Sequence, residues 1–348
     1  MNSIFKISSL AAVLFLCSIS YSYSQNVNSL AAQIDSLLAV SSPKFNGTIL
    51  ISQKGKTIYS KAYGFADLEK KTPLEIDNAF EIMSNSKQIC AVLVLKEVEK
   101  GTIKLNDPIK KYMPELKQSW AHSVTVSQLL NHTHGIEALD KPLLFKPGSD
   151  FKYNGWGLGL AGQILEKVTK KSYPALSYAL FQKLKMTRTM CYAKIIPPYL
   201  VSGYDNKNNV FTKVTSSQIN PGSYGSDGII STVHDLAIWN NNLHKGKILK
   251  PETYKLMLQY KILAQHMAFE KEKVGYGYGI RVVDKETPKY IGHTGLGDGF
   301  SSINLYYPES DTSLIILENQ MNEDSNLFYA NEIKIKKLLL KSGLLNQK

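Results

Sequence analysis

Strand-like segments lie at both ends of this chain, with helix-like segments between them. Phe45 to Ser52 and Lys56 to Ala62 are apolar-rich runs joined at Lys54-Gly55, the pattern of a hairpin. In the last third, Gly277 to Val283, Tyr290 to Gly292, Phe300 to Tyr307 and Ser313 to Glu318 read as strands. Apolar residues at helical spacing mark Val27 to Val40, Met83 to Lys100, Val126 to Asn131, Trp156 to Lys170, Tyr173 to Leu184, Thr232 to Leu243 and Phe328 to Leu340. Strands from the two ends can share a sheet only if the ends meet and the middle is set aside. The pattern therefore predicts a discontinuous α/β lobe, residues 25–95 and 230–348, with a mainly helical lobe, 96–229, inserted. A chain of 348 residues is long enough for two lobes. The cleft between them is the expected ligand site.

Residues 1–24 read as a secretory signal: Lys6 is a positive start, Ile7 to Ile19 an apolar stretch, and Ser22-Tyr23-Ser24 a small-residue flank before Gln25. The apolar run is short for a bilayer span, so no stable transmembrane segment is expected, and the mature protein is expected to be periplasmic or secreted. Cleavage would leave Cys90 and Cys191, which could pair in an oxidising compartment but read rather as two buried free thiols. The net charge of +12 is mostly scattered, and the densest basic stretch, Lys334 to Lys341, has the spacing of a solvated helix face. Such a charge favours anionic surfaces such as a cell wall. No recognised motif supports nucleic-acid binding.

In EIMSNSKQIC, Ser84 and Lys87 form a Ser-x-x-Lys pair at the mouth of what reads as a long amphipathic helix. Positions i and i+3 share a helix face, so the lysine amine can reach the serine hydroxyl. To act as a base it needs a lowered pKa, from desolvation or nearby positive charge. The helix N-terminus favours a developing oxyanion. The other reading of Ser84 is a helix N-cap. Ser3, Ser41 and Ser149 also precede a lysine by three residues, but they lie in the leader, before a strand, and in a turn. Ser86 has Ile89 three residues on, and is read as packing or a local hydrogen bond. There is no Gly-x-Ser-x-Gly elbow and no His-Glu-x-x-His motif. His132-Thr133-His134 lacks further ligands nearby in sequence, so no metal or other cofactor is expected.

Several ordered blocks resemble the serine β-lactamase and penicillin-binding superfamily, in the branch with class C β-lactamases, DD-peptidases and esterases. They are FEIMSNSKQIC, GTIKLNDPIKKYMPE, VTVSQLLNHTHGI, FKYNGWGLGLAGQILEKVT, GSDGIISTVHDLAIW and IGHTGLGDGFSSINLYYPES. The resemblance implies an antiparallel sheet flanked by helices, and a serine hydrolase working through an acyl-enzyme. It implies Ser84 as nucleophile, Lys87 as its base or proton partner, and Tyr153 as a second acid/base. It also implies His293, Thr294 and Gly295 on an edge strand facing the nucleophile. The backbone N–H groups of Ser84 and Leu296 would form the oxyanion hole.

Two departures stand out. The family's Tyr-x-Asn is here Tyr153-Asn154-Gly155, with Asn154 one residue early as the remaining candidate for substrate binding. In the family that asparagine bonds the lysine and substrate amides, so its absence weakens amide discrimination. His293 replaces the lysine typical of class C β-lactamases, and a histidine is only partly charged at neutral pH. Both point away from a dedicated β-lactamase, toward a DD-peptidase-like or esterase-like enzyme. The substrate is expected to be a cell-wall or D-amino-acid peptide, a β-lactam or an ester. The alternative is a non-catalytic relative that binds peptidoglycan peptides or a protein partner.

Overall fold

The two ends of the chain meet in one sheet. A computed structural model describes residues 24–192, 196–264 and 272–346, so residues 1–23 of the expected leader lie outside the described residues. The sheet has seven strands, in the order Gly275–Tyr276, Arg281–Val283, Tyr290–Gly297, Phe300–Tyr307, Thr312–Glu318, Gly47–Gln53 and Lys56–Tyr63. Every neighbouring pair is antiparallel. The ends join where Gly47 pairs with Glu318 and Gln53 with Thr312.

Alternation along the central strands sends side chains to two separate cores. Ile49, Ile51, Ile303, Leu305, Leu314 and Ile316 pack with Leu30 and Ile34 of a helix through residues 24–39, and with Ile335 and Leu339 of the helix Ala330–Lys341. Leu50, Ile315 and Leu317 face the other way, into a core shared with the helices Ser86–Glu99 and Val233–Leu243. Helices on both faces explain why these strands read as nearly continuous apolar runs.

The expected amphipathic helix Met83 to Lys100 divides differently. Met83–Asn85 is a 3₁₀ turn and the α-helix runs Ser86–Glu99. From Ser86 to Leu95 every residue is buried, so this is a central helix, apolar nearly all round, and not a one-faced one. It packs against the helices Trp156–Thr169 and Tyr224–Asp227. Cys90 and Cys191 are buried free thiols.

Candidate active site

The turn that carries Ser84 is entered through Met83, a non-glycine residue at φ 48°. That left-handed conformation costs about 1–2 kcal/mol and bends the chain sharply just before the serine. The turn lies directly on the strand Tyr290–Gly297. A Cβ added at Gly295 would stand 2.2 Å from the Ile82 carbonyl oxygen and 3.0 Å from the Met83 Cβ, so this close approach requires glycine there. Ser302, paired with Gly295 across the sheet, donates to the Ile82 carbonyl at 2.8 Å and accepts from Asn85 Nδ2 at 2.8 Å.

The strand Tyr290–Gly297 pairs with Phe300–Tyr307 as far as its end, but with Arg281–Val283 only up to Gly292. Its turn, Asp298-Gly299, has φ 49° and 78°, the type I′ geometry. Such a hairpin closes on a hydrogen-bonded pair, here Gly297 with Phe300, and hydrogen-bonded pairs then alternate. The Leu296 and Thr294 peptide groups therefore turn toward the open edge. Leu296 is the half-buried residue there.

Ser84 Oγ sits in a closed set of hydrogen bonds. It accepts from Lys87 Nζ at 2.8 Å and donates to Asp227 Oδ1 at 3.0 Å. Lys87 Nζ also donates to the Ser226 carbonyl at 3.0 Å and to Asp227 Oδ1 at 3.2 Å. Ser226 Oγ donates to Asp227 Oδ2 at 2.6 Å. Acceptors surround the lysine nitrogen, which suits an ammonium with three protons. Burial would lower the Lys87 pKa, but the Asp227 carboxylate, and then Tyr153, hold it above its ordinary value. Burial would likewise raise Asp227, and Lys87 with the hydrogen bonds from Ser226 and Ser84 holds it below the usual carboxylate range. The lowered pKa that a lysine base would need is not what this neighbourhood favours: the neighbour supplied is a carboxylate, not a cation. Ser84 Oγ points to Asp227, so Ser84 does not serve as the helix cap.

Tyr153 is half-buried, with its ring centroid 5.1 Å from Lys87 Nζ and 4.5 Å from the His132 ring. Both ends of the Asn154 amide are engaged elsewhere. Nδ2 donates to the Ile136 carbonyl at 2.6 Å, and Oδ1 accepts from the Trp156 N–H at 3.0 Å. Asn154 thus fastens the entry of the helix Trp156–Thr169, and its amide is not turned to a substrate. Gly155 is the position that faces the cluster: a Cβ there would lie 3.5 Å from Ser226 Oγ and 3.9 Å from Asp227 Oδ2.

His293 is fully buried. Its Nε2 is 2.8 Å from the Tyr276 hydroxyl, and Nδ1 lies against the Thr294 backbone, 2.9 Å from its N–H and 2.6 Å from its carbonyl. His293 shares a strand face with Gly295, the face on which the Ser84 turn lies, and its ring centroid is 6.1 Å from that of Tyr153. Thr294 is buried beside it. His132 is buried, and burial pushes it well below its ordinary pKa, so it packs on Tyr153 as a neutral ring. His134, lowered to about 4 by burial, accepts the Ile136 N–H at 2.9 Å. Ser86 accepts the Ile229 N–H at 3.0 Å, a hydrogen bond to a residue distant in sequence and not a local one.

Sequence reasoning missed Asp227 and Tyr276. Asp227 carried a signal: an acidic residue inside the glycine-bearing block GSDG, in a chain whose Tyr153 block had lost its asparagine. Nothing local marked Tyr276.

A serine, a lysine, an aspartate and a tyrosine are grouped at the N-terminal end of a buried helix, beside an open strand edge, on an antiparallel-sheet scaffold. Residues 40–337 match the Beta-lactamase family, and the chain belongs to it. Among curated proteins it is similar to protein flp of Staphylococcus aureus (strain NCTC 8325 / PS 47), 26% identical over 79% of this chain and 60% of that protein's length. It is 23% identical to penicillin-binding protein 4* of Bacillus subtilis (strain 168), over 80% of this chain and 68% of that one. The octameric penicillin-binding protein homologue of Pyrococcus abyssi shares the fold, with a TM-score of 0.76, 25% identity, and cover of 91% of this chain and 77% of that one. The D-amino acid amidase of Ochrobactrum anthropi SV3, solved with D-phenylalanine, also has a TM-score of 0.76, at 21% identity, covering 91% and 99%.

Proposed function

We propose that this chain is an exported serine hydrolase that forms an acyl-enzyme on Ser84. Its acyl donor is a cell-wall or D-amino-acid peptide, a β-lactam or an ester. The observation that carries the reading is the placement of Ser84 Oγ between Lys87 Nζ at 2.8 Å and Asp227 Oδ1 at 3.0 Å. With the lobes divided as the sequence suggests, Ser84, Lys87 and Leu296 belong to the sheet lobe, and Tyr153 and Asp227 to the inserted one. The cluster would then line the cleft between them.

In this reading Ser84 Oγ attacks the carbonyl carbon. Its proton moves to Asp227 Oδ1 and is relayed through Lys87 and Tyr153 to the leaving group, as the bond from carbonyl to leaving group breaks. The Lys87 ammonium polarises Oγ and offsets the charge that develops. The N–H groups of Ser84 and Leu296 receive the oxyanion. Water then takes the place of the leaving group and the same relay runs back, restoring Ser84. The name of the penicillin-binding relatives supports a β-lactam among the acyl donors. The leader and the charge of +12 support export and cell-wall association.

A second reading, a non-catalytic relative that binds peptidoglycan peptides or a protein partner, is favoured by one observation: position 155 is glycine and the Asn154 amide is bonded to the Ile136 carbonyl and the Trp156 N–H. Intact mass measurement of the mature protein with benzylpenicillin, beside Ser84→Ala, separates them. A lasting adduct absent from the variant supports a penicillin-binding, DD-peptidase-like enzyme. Ser84-dependent loss of drug without an adduct supports a β-lactamase. If neither occurs, a panel of neutral esters follows, and silence there from folded protein favours the non-catalytic reading.

A further inference from the structure

Resting on the acyl-enzyme reading, we infer that Asp227 and Gly155 together select the charge of the substrate. They favour acyl donors with no negative charge near the scissile bond over donors that carry a carboxylate there.

The Lys87–Asp227 pair is lopsided. The lysine side chain is 1% exposed and the aspartate side chain 24%, so the end of the pair that meets solvent is the carboxylate. It does so in contact with the nucleophile, because Asp227 Oδ1 accepts the Ser84 hydroxyl at 3.0 Å. Gly155 leaves this side open. A Cβ at 155 would point at Ser226 Oγ and Asp227 Oδ2, at 3.5 and 3.9 Å, so the amide of a longer side chain would have to enter the space that the carboxylate uses. The chain thus has a carboxylate where an amide donor would otherwise reach the lysine.

The lysine that offsets this carboxylate lies on its buried side. Lys87 is sealed beneath Asp227, Ser84 and the Ser226 carbonyl. His293 is buried, with its Nε2 against Tyr276. An acyl donor seated on Ser84 with its own carboxylate nearby would lie closer to the exposed Asp227 carboxylate than to the buried Lys87 ammonium paired with it, and in a partly dry site the nearer like charge dominates. A neutral donor meets no such repulsion, and an ammonium group is attracted.

The test uses three 4-nitrophenyl esters of similar size: the butyrate, the hydrogen succinate with a free carboxylate, and the 4-aminobutyrate with a free ammonium. Wild type, Ser84→Ala, Asp227→Asn and Asp227→Ser are compared by kcat/KM, each checked for native melting. Wild type is expected to favour the neutral and cationic esters over the anionic one by about tenfold or more. Both Asp227 variants are expected to raise the anionic-to-neutral ratio by about tenfold, whatever their absolute rates. An unmoved ratio, with nitrophenol release still dependent on Ser84, overturns this inference and leaves the acyl-enzyme reading standing. Absence of Ser84-dependent release from all three esters overturns that reading and the inference with it. Two variants guard against a single substitution that fails to fold, and a ratio is insensitive to general loss of active protein.

Discussion

Glu81 precedes Ser84 by three residues and offers a quantitative check on the charge environment behind the nucleophile turn. Its carboxyl is 4% exposed and accepts from Ser217 Oγ at 3.3 Å. The Asp298 carboxylate, in the turn that follows the site strand, draws on the same hydroxyl at 2.9 Å. Burial, and then repulsion from Asp298, push Glu81 up from 4.5 to about 7. A carboxyl raised in the folded state binds more protons folded than unfolded. Its contribution is therefore fully present below pH 4.5 and is lost as pH rises through about 7. The whole loss is at most about 3 kcal/mol. Glu81→Gln cannot titrate and should lack this slope. Urea midpoints at about pH 5 and about pH 8 should show the variant gaining about 1–3 kcal/mol on wild type at the higher pH, with equal m values. The same midpoint gap at both pH values would refute the reasoning, because other titrating groups are common to the two proteins.

Two further substitutions probe the site's construction. Gly295→Ala puts a methyl group 2.2 Å from the Ile82 carbonyl oxygen, which only backbone movement can relieve. It should cost about 1–3 kcal/mol by overpacking and, by displacing Ser84, lower kcat/KM on a neutral ester by about tenfold or more. Thermal melting and ester kinetics check the two effects separately. Lys87→Met leaves Asp227 without its cation. Breaking a fully buried pair costs about 3–5 kcal/mol, and partial exposure of Asp227 should reduce this to about 2 kcal/mol. Asp227 is held low by its partner, so the pair's contribution is present above the ordinary aspartate pKa and is lost as pH falls. The penalty of Lys87→Met, measured by urea unfolding, should therefore shrink in acid.

The sheet and its covering helices were legible because periodicity reports burial. Trp156–Thr169 and Tyr173–Leu184 were expected within a residue or so of where they lie. The amphipathic reading of the helix after Ser84 failed for a reason of the same kind. Lys96, Glu97 and Glu99 gave it a polar end that resembled a polar face, whereas the residues from Ser86 to Leu95 are enclosed on all sides. The residue pattern alone carried the strand at Tyr290 only to Gly292, and the family resemblance put His293 to Gly295 on a strand; it runs to Gly297. His293, Thr294 and Gly295 lack the look of a strand interior, and glycine is there because the Ser84 turn presses on it.

Ser84 and Lys87 could be matched from a four-residue window because one helical turn brings them together. Asp227 meets Ser84 across 143 positions, and no local spacing encodes that contact. Its importance depends on a residue elsewhere that has no side chain. The missing asparagine at 155 read as a defect when taken alone, and the aspartate in the glycine-bearing block was not singled out. In space they are one arrangement: the 155 backbone points at the Asp227 carboxylate, which is bonded to both the lysine and the nucleophile. Replacing Gly155 by Asn while Asp227 remains would therefore crowd the carboxylate without restoring an amide contact to the lysine. The effects of the two positions should accordingly be non-additive, as for residues that share one hydrogen-bond network. Gly155→Asn should do more harm beside Asp227 than beside Asp227→Gly, and equal harm in both backgrounds would mean that the two positions act independently.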